Sequence, residues 1–190
     1  RAYGVPELSD KVYLEIKKKF NGLVNKRRTK IILDEAYEFV ETGRKPLLRK
    51  FMNRQVTEEI EYFLKIYNLD PKIYIAYDRK AYFGINNRDL RITFDTNIRT
   101  RREQLRLEYG DHGEKLLDSD IWLMEVKAEK SIPLWLSRML SELKLYKTSF
   151  SKYGTVYKKM LSKNIMEGED YQCQENYLIS QPVQHYQLEM

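Results

Sequence analysis

One cysteine and two histidines are all that the 190 residues hold of those types, and glycine and proline number only eight and five. The single thiol, Cys173, closes no intramolecular disulfide, which fits a reducing compartment. His112 and His185 are too few and too scattered for an imidazole metal centre. No apolar run approaches the roughly 20 residues that span a bilayer, and no secretory leader pattern is present. A cytoplasmic protein or cytoplasmic domain without a membrane segment is therefore expected. A Gly-rich phosphate loop, a GxGxxG turn, a CxxC pair and any internal repeat are also missing, which removes the signatures of P-loop, dinucleotide-binding, thioredoxin-like and solenoid folds.

What is present is charge. Asp, Glu, Lys and Arg make up 33% of the chain beside 42% hydrophobic residues, a soluble globular composition with more charge than usual. Lys and Arg exceed Asp and Glu by 34 to 28, a net +6, so an anionic partner is favoured: phosphate, nucleic acid or acidic lipid. The length suits one domain. The chain opens at Arg1, without Met, in a chemically loaded segment, and reads as the remnant of a longer polypeptide with some strands absent. Beyond Lys163, Gln, Asn and Glu with weak periodicity read as a loosely packed polar tail, residues 164–190.

The pattern alternates between two periods. Val12, Leu14 and Ile16 interleave with Tyr13, Glu15 and Lys17 as a strand, and Asn21-Gly22 turns into a charged segment with Lys26 and Arg28 on one face. Apolar spacing predicts a helix over Ile31–Val40, stopped by Gly43, and a longer one over about Leu47–Tyr67. Strands are expected at Ile73–Phe83 and Leu90–Asp95 around the turn Asn86-Asn87, with Thr100–Tyr109 a strand or an irregular crossing. A loop over 110–120 precedes a strand at Ile121–Ala128. Pro133 then opens a helix that Ser131 is placed to cap, and a last helix surrounds Thr155–Leu161. Trp122 and Trp135 read as packing residues, and Arg99, Arg101, Arg102 and Arg106 as a solvated basic edge. Hairpins dominate, so the class is α+β with an antiparallel sheet.

Charge recurs at alternate strand positions in four sets. These sets are Glu15, Lys17 and Lys19; Lys26 and Arg28; Tyr77 and Arg79 with Arg91, Thr93 and Asp95; and Glu125, Lys127 and Glu129. Amphipathic helices offer cover for the other face, so the charged faces are expected to point into a closed or nearly closed barrel. Cations enclosed in this way need counter-charge. Phosphate supplies it, since Arg grips phosphate with a planar fork and Lys as a point charge. The interleaved Glu15, Glu125 and Glu129 suit a hard divalent ion, Mg²⁺ or Mn²⁺. Asp95 reads either as a metal ligand or as the partner that orients an Arg.

In this order the segments resemble a family. Arg1-Ala2-Tyr3-Gly4 is similar to the end of the R-x-R-x-Y-G element of VTC domains, and Leu14-Glu15-Ile16-Lys17 with Lys26 and Arg28 to its E-x-K and K-x-R. Tyr77-Asp78-Arg79-Lys80-Ala81-Tyr82 and Arg91-Ile92-Thr93-Phe94-Asp95 resemble Y-x-R-x-A-F and R-(I/V)-(S/T)-x-D. Met124-Glu125-Val126-Lys127 resembles (L/F)-E-(V/I)-K, and Phe150-Ser151-Lys152-Tyr153 resembles F-S-K-(Y/F). The resemblance implies a triphosphate tunnel domain over residues 1–163, with the first family strand and the leading Arg before Arg1. It further implies a polyphosphate polymerase that moves the terminal phosphate of ATP onto a growing chain. On that analogy Arg1, Lys17, Lys26, Arg28, Tyr77, Arg79, Arg91, Lys127 and Lys152 contact phosphate. Lys17, Arg79, Arg91 and Lys152 stand closest to the reaction. Glu125 holds Mn²⁺ or Mg²⁺, with Glu15 and then Glu129 the weaker candidates.

Two other functions use the same residues. A tunnel triphosphatase would hydrolyse tripolyphosphate, a nucleotide or an RNA 5′ triphosphate through a metal-activated water. A non-catalytic polyanion or nucleic-acid binding module would use the basic strands and Tyr77, Tyr82 and Phe83 as a platform. That last reading leaves the repeated carboxylates unexplained, so nucleic acid is the less favoured partner.

Overall fold

The computed structural model describes residues 1–21, 23–118, 120–166 and 185–189. The described residues divide into two compact units, one within residues 1–72, 104–111 and 185–189, the other within residues 73–103 and 112–166.

In the first unit β1 (Lys11–Phe20) and β2 (Leu23–Ile32) form an antiparallel hairpin paired from Lys11–Ile32 to Phe20–Leu23. Asn21 takes a φ of 47° in its two-residue turn, a left-handed conformation that Asn tolerates. Val12, Leu14 and Ile16 point to one side and meet Ile31 and the buried faces of α1 (Leu33–Thr42) and α2 (Arg54–Ile66): Leu33, Ala36, Phe39, Val56, Ile60 and Phe63. Burying these side chains stabilises the unit by roughly 1.5–3 kcal/mol each relative to exposure. Helix α1 ends at Gly43, whose φ of 70° forms the left-handed cap and returns its N–H to the Phe39 carbonyl.

Both helices begin later than expected. Ile31 and Ile32 remain in β2 because Val12 and Lys11 pair with them across the hairpin. Helix α2 starts at Arg54 rather than Leu47 because Asn53 caps it: the Asn53 side chain accepts the Val56 N–H at 3.1 Å while the Asn53 N–H is held by Thr29 Oγ1 at 2.8 Å. A further strand at residues 185–189, within the expected tail, pairs antiparallel with β1. Residues 167–184, Cys173 among them, and the side chain of Lys19 lie outside the described residues.

In the second unit β3 (Tyr74–Phe83), β4 (Arg91–Arg101), the two-residue β5 (Glu114–Lys115) and β6 (Leu123–Lys127) form an antiparallel sheet with β4 paired to the other three. Gly84 opens the β3–β4 loop, where a Cβ would lie 2.4 Å from the Asn87 carbonyl oxygen, so only glycine fits. An irregularity lies between Ala76 and Asp78, where β4 carries the extra residue and Asn97 takes a φ of 49°. Strand β4 runs on through Thr100 and Arg101, and a single 3-10 turn at Leu107–Tyr109 follows in the first unit. Ile98, Leu116 and Val156 form this unit's small core, Val156 coming from α4 (Lys152–Met166). The strand β7 (His185–Glu189), paired with β1 of the first unit, completes the element order after α4.

The mixed α+β class with antiparallel sheets holds; the described strands form two sheets, and no closed barrel is seen among the described residues. Three expectations are corrected. Helix α3 (Leu134–Glu142) begins at Pro133 without a side-chain cap, so Ser131 does not cap it. Trp122 and Trp135 are half exposed, at 51% and 54%, not core; Trp122 meets the edge of Phe94 and the Lys80 ammonium. The basic run is not a simple solvated edge: Arg101 is buried, stacked 3.5 Å from the Tyr74 ring and donating to the His112 carbonyl, while Arg99 pairs with Asp78.

Candidate functional site

Strand alternation puts Tyr13, Glu15 and Lys17 on the face of β1 opposite its core side chains, and Lys26, Arg28 and Lys30 on the matching face of β2, where Glu15 lies directly across from Arg28. Glu15 is fully buried. Its Oε2 receives Lys26 Nζ at 2.6 Å and Arg1 Nη1 at 3.5 Å, and Arg28 Nη1 stands 3.9 Å from Oε1. Oε1 itself has no hydrogen bond. A buried carboxylate is tolerable only when paired, and here one carboxylate anchors three cations, so the cluster carries excess positive charge. On the other face Lys18 and Arg27 are tied to Glu59 of α2 and are removed from this chemistry.

The second set is built on β3, β4 and β6. Register places Arg79 opposite Asp95, Glu125 opposite Thr93, and Lys127 opposite Arg91. Asp95 is buried and takes a two-point bond from Arg79, Nε to Oδ1 at 2.5 Å and Nη2 to Oδ2 at 2.7 Å. Lys152, at the start of α4, donates to Oδ2 at 2.6 Å. Burial pushes the Asp95 carboxyl up, but the bonds from Arg79 and Lys152 outweigh it and hold the group below the usual carboxylate range. The same bond to Asp95 raises the Arg79 guanidinium above its ordinary value. Tyr77 lies beneath both cations, its ring centre 4.9 Å from Arg79 and 4.5 Å from Lys152. Glu125, half exposed, stands 3.3 Å from Lys127 Nζ and 3.9 Å from Arg79 Nη2.

Two atoms here lack partners. Arg91 Nε and Thr93 Oγ1 are buried yet make no hydrogen bond, although both belong to the site face of β4. A native protein leaves few buried donors unmade, and each costs about 1–3 kcal/mol. Both atoms can donate, and a phosphate oxygen is an acceptor of the right chemistry for either.

The predicted residues thus gather in two sets: Arg1, Glu15, Lys17, Lys26 and Arg28 on the first sheet, and Tyr77, Arg79, Arg91, Glu125, Lys127 and Lys152 on the second. Glu129 joins neither, because β6 stops at Lys127 and Glu129 lies exposed in the bend beyond. Asp95 proves to be an organiser of Arg79 and Lys152. Tyr13 and Lys30 escaped the sequence reading, though their positions two residues from Glu15 and Arg28 were signal enough. Among the described residues no group of three or more His, Cys, Asp or Glu comes together.

The model of the VTC domain matches residues 1–161. The chain belongs to the VTC domain family. Membership links it to polyphosphate-related chemistry, and the matched span contains both clusters just described. No curated protein and no solved structure matches this VTC chain. No helix among the described residues is long and apolar enough to cross a membrane.

Proposed function

We propose that this VTC domain is a polyphosphate polymerase-like phosphotransferase, working with Mn²⁺ or Mg²⁺ in a cationic tunnel of the kind the family implies. An oxygen of the chain's terminal phosphate bonds to the γ-phosphorus of ATP as the bond to the bridging β-phosphate oxygen breaks, and the electron pair leaves with ADP. The attacking oxygen is already anionic, so no general base is assigned. By resemblance to the family, charge neutralisation on the transferring group is assigned to Arg79, Arg91, Lys17 and Lys152, and phosphate positioning to Arg1, Lys26, Arg28, Tyr77 and Lys127.

The observation that carries this reading is the pair of buried donors without acceptors, Arg91 Nε and Thr93 Oγ1, beside cations fixed by Asp95. Preorganised donors with nothing to bond suit a ligand that arrives with many oxygens. The donor set for a metal is thin, because Asp95 is taken up by Arg79 and Lys152, which leaves Glu125 as the half-exposed carboxylate beside them. That fits Mg²⁺ or Mn²⁺, which commonly takes one or two carboxylates and completes its shell from substrate phosphates and water. When bound, such an ion supplies charge neutralisation to the β- and γ-phosphates.

Incubation with ATP and Mn²⁺ followed by sizing of the phosphate products tests the reading. Chains longer than three phosphates are expected. Orthophosphate and ADP alone would replace the polymerase with a triphosphatase, and no turnover with retained binding would leave a polyphosphate-binding domain.

A further inference from the structure

The edge strand β2 borders an open cleft of about 450 Å³ lined by Tyr13, Arg28, Thr29, Lys30, Phe51 and Asn53. Its cations are braced on rings. Arg28 lies 4.7 Å and Lys30 5.8 Å from the Tyr13 ring centre, and Lys11 lies 4.8 Å from that of Phe51. Neither Lys11 nor Lys30 has an acidic partner among the described residues, and Arg28 shares Glu15 with Arg1 and Lys26. A ring orients a cation without cancelling its charge, whereas a carboxylate would do both. The cleft therefore collects uncompensated positive charge and raises the local concentration of anions.

We propose that this cleft is an accessory anion site that holds a further stretch of condensed phosphate, continuous through Arg28 with the Glu15 cluster. The inference rests on the phosphate-handling reading above and adds to it a grip that depends on chain length. Condensed phosphate is favoured over nucleic acid because the aromatic surface is covered by Arg28 and Lys11 and offers no stacking platform for bases. Lys11 and Lys30 supply point charges and Arg28 a planar fork, a set that suits successive phosphates of one chain.

The test compares binding of tripolyphosphate and of long-chain polyphosphate to the full chain at fixed ionic strength. Lys11→Glu with Lys30→Glu should weaken long-chain binding several-fold and leave tripolyphosphate binding unchanged. Lys30→Gln alone, a mild change at an exposed position, should give part of that loss with an unaltered melting temperature. A charge-matched control, Lys130→Glu with Lys147→Glu, should do neither, since both lysines are exposed and neither lines the cleft. The inference is overturned if the cleft variants bind long chains as the wild type does, if the control loses as much, or if a single-stranded oligonucleotide competes as well as polyphosphate. A wild type that binds neither phosphate would bring down the phosphate-handling reading as well.

Discussion

Asp95 and Arg79 face each other across the β3–β4 pairing and meet in a two-point bond, with Lys152 reaching the same carboxylate from α4. The irregularity at Asn97 makes this possible, because without the extra β4 residue the register beyond Ala76 would put a different side chain opposite Arg79. One buried carboxylate thereby fixes two cations that belong to different elements, and Tyr77 supports both.

Removing that charge should cost both stability and binding. Asp95→Asn leaves Lys152 without its carboxylate and Arg79 with Glu125 alone at 3.9 Å, and loss of one partner of a buried pair costs about 3–5 kcal/mol. Because Arg79 and Lys152 are 24% and 19% exposed, the lower end is expected. Urea unfolding measures it. A midpoint equal to that of the wild type would show that the cluster organises nothing.

Acid should remove the same contribution. The folded Asp95 carboxyl lies below its ordinary value, so its stabilisation is fully present above an unfolded-state pKa of about 3.9 and is lost as pH falls through the folded value. The stability gap between wild type and Asp95→Asn should stay constant from neutral pH to about 5 and narrow below about 4. A gap that opens on acidification would reverse the assignment.

Thr93→Val should act in opposite directions on stability and affinity. The buried Thr93 hydroxyl has no partner, so replacing it with a methyl should stabilise the ligand-free chain by about 1 kcal/mol. The same change should weaken tripolyphosphate binding by removing a donor. Thermal unfolding with and without tripolyphosphate reads both effects, and a destabilised variant with unchanged affinity would mean that the hydroxyl serves packing.

Much of this arrangement was legible before the coordinates. Period-2 alternation in Val12–Lys17 and in Arg91–Asp95 settles which side chains share a face, and both hairpins follow from their turns. The start of α1 was hidden because Ile31-Ile32-Leu33 is one unbroken apolar run that serves strand and helix in turn. The start of α2 was hidden because Leu47, Leu48, Phe51 and Met52 keep helical spacing outside a helix, and only the Asn53 cap decides the boundary. The tryptophans misled because size and apolarity suggest burial, whereas Trp122 stands just before β6 and Trp135 in a helix that buries only Leu136. Partner geometry was legible only in part: pairing of Asp95 with an Arg was one of its two readings, but neither the unpaired Arg91 Nε nor the bond from Lys152 to Asp95 follows from spacing.

The account turns on whether the donors of β4 receive phosphate, and the Arg91 Nε–H resonance reports that directly in an NMR titration with tripolyphosphate. The expected result is a saturable shift of that resonance with slower exchange against water, lost in Thr93→Val and Asp95→Asn only in proportion to their weakened binding. An Arg91 Nε–H signal that stays fixed while tripolyphosphate binds elsewhere on the chain would contradict the account.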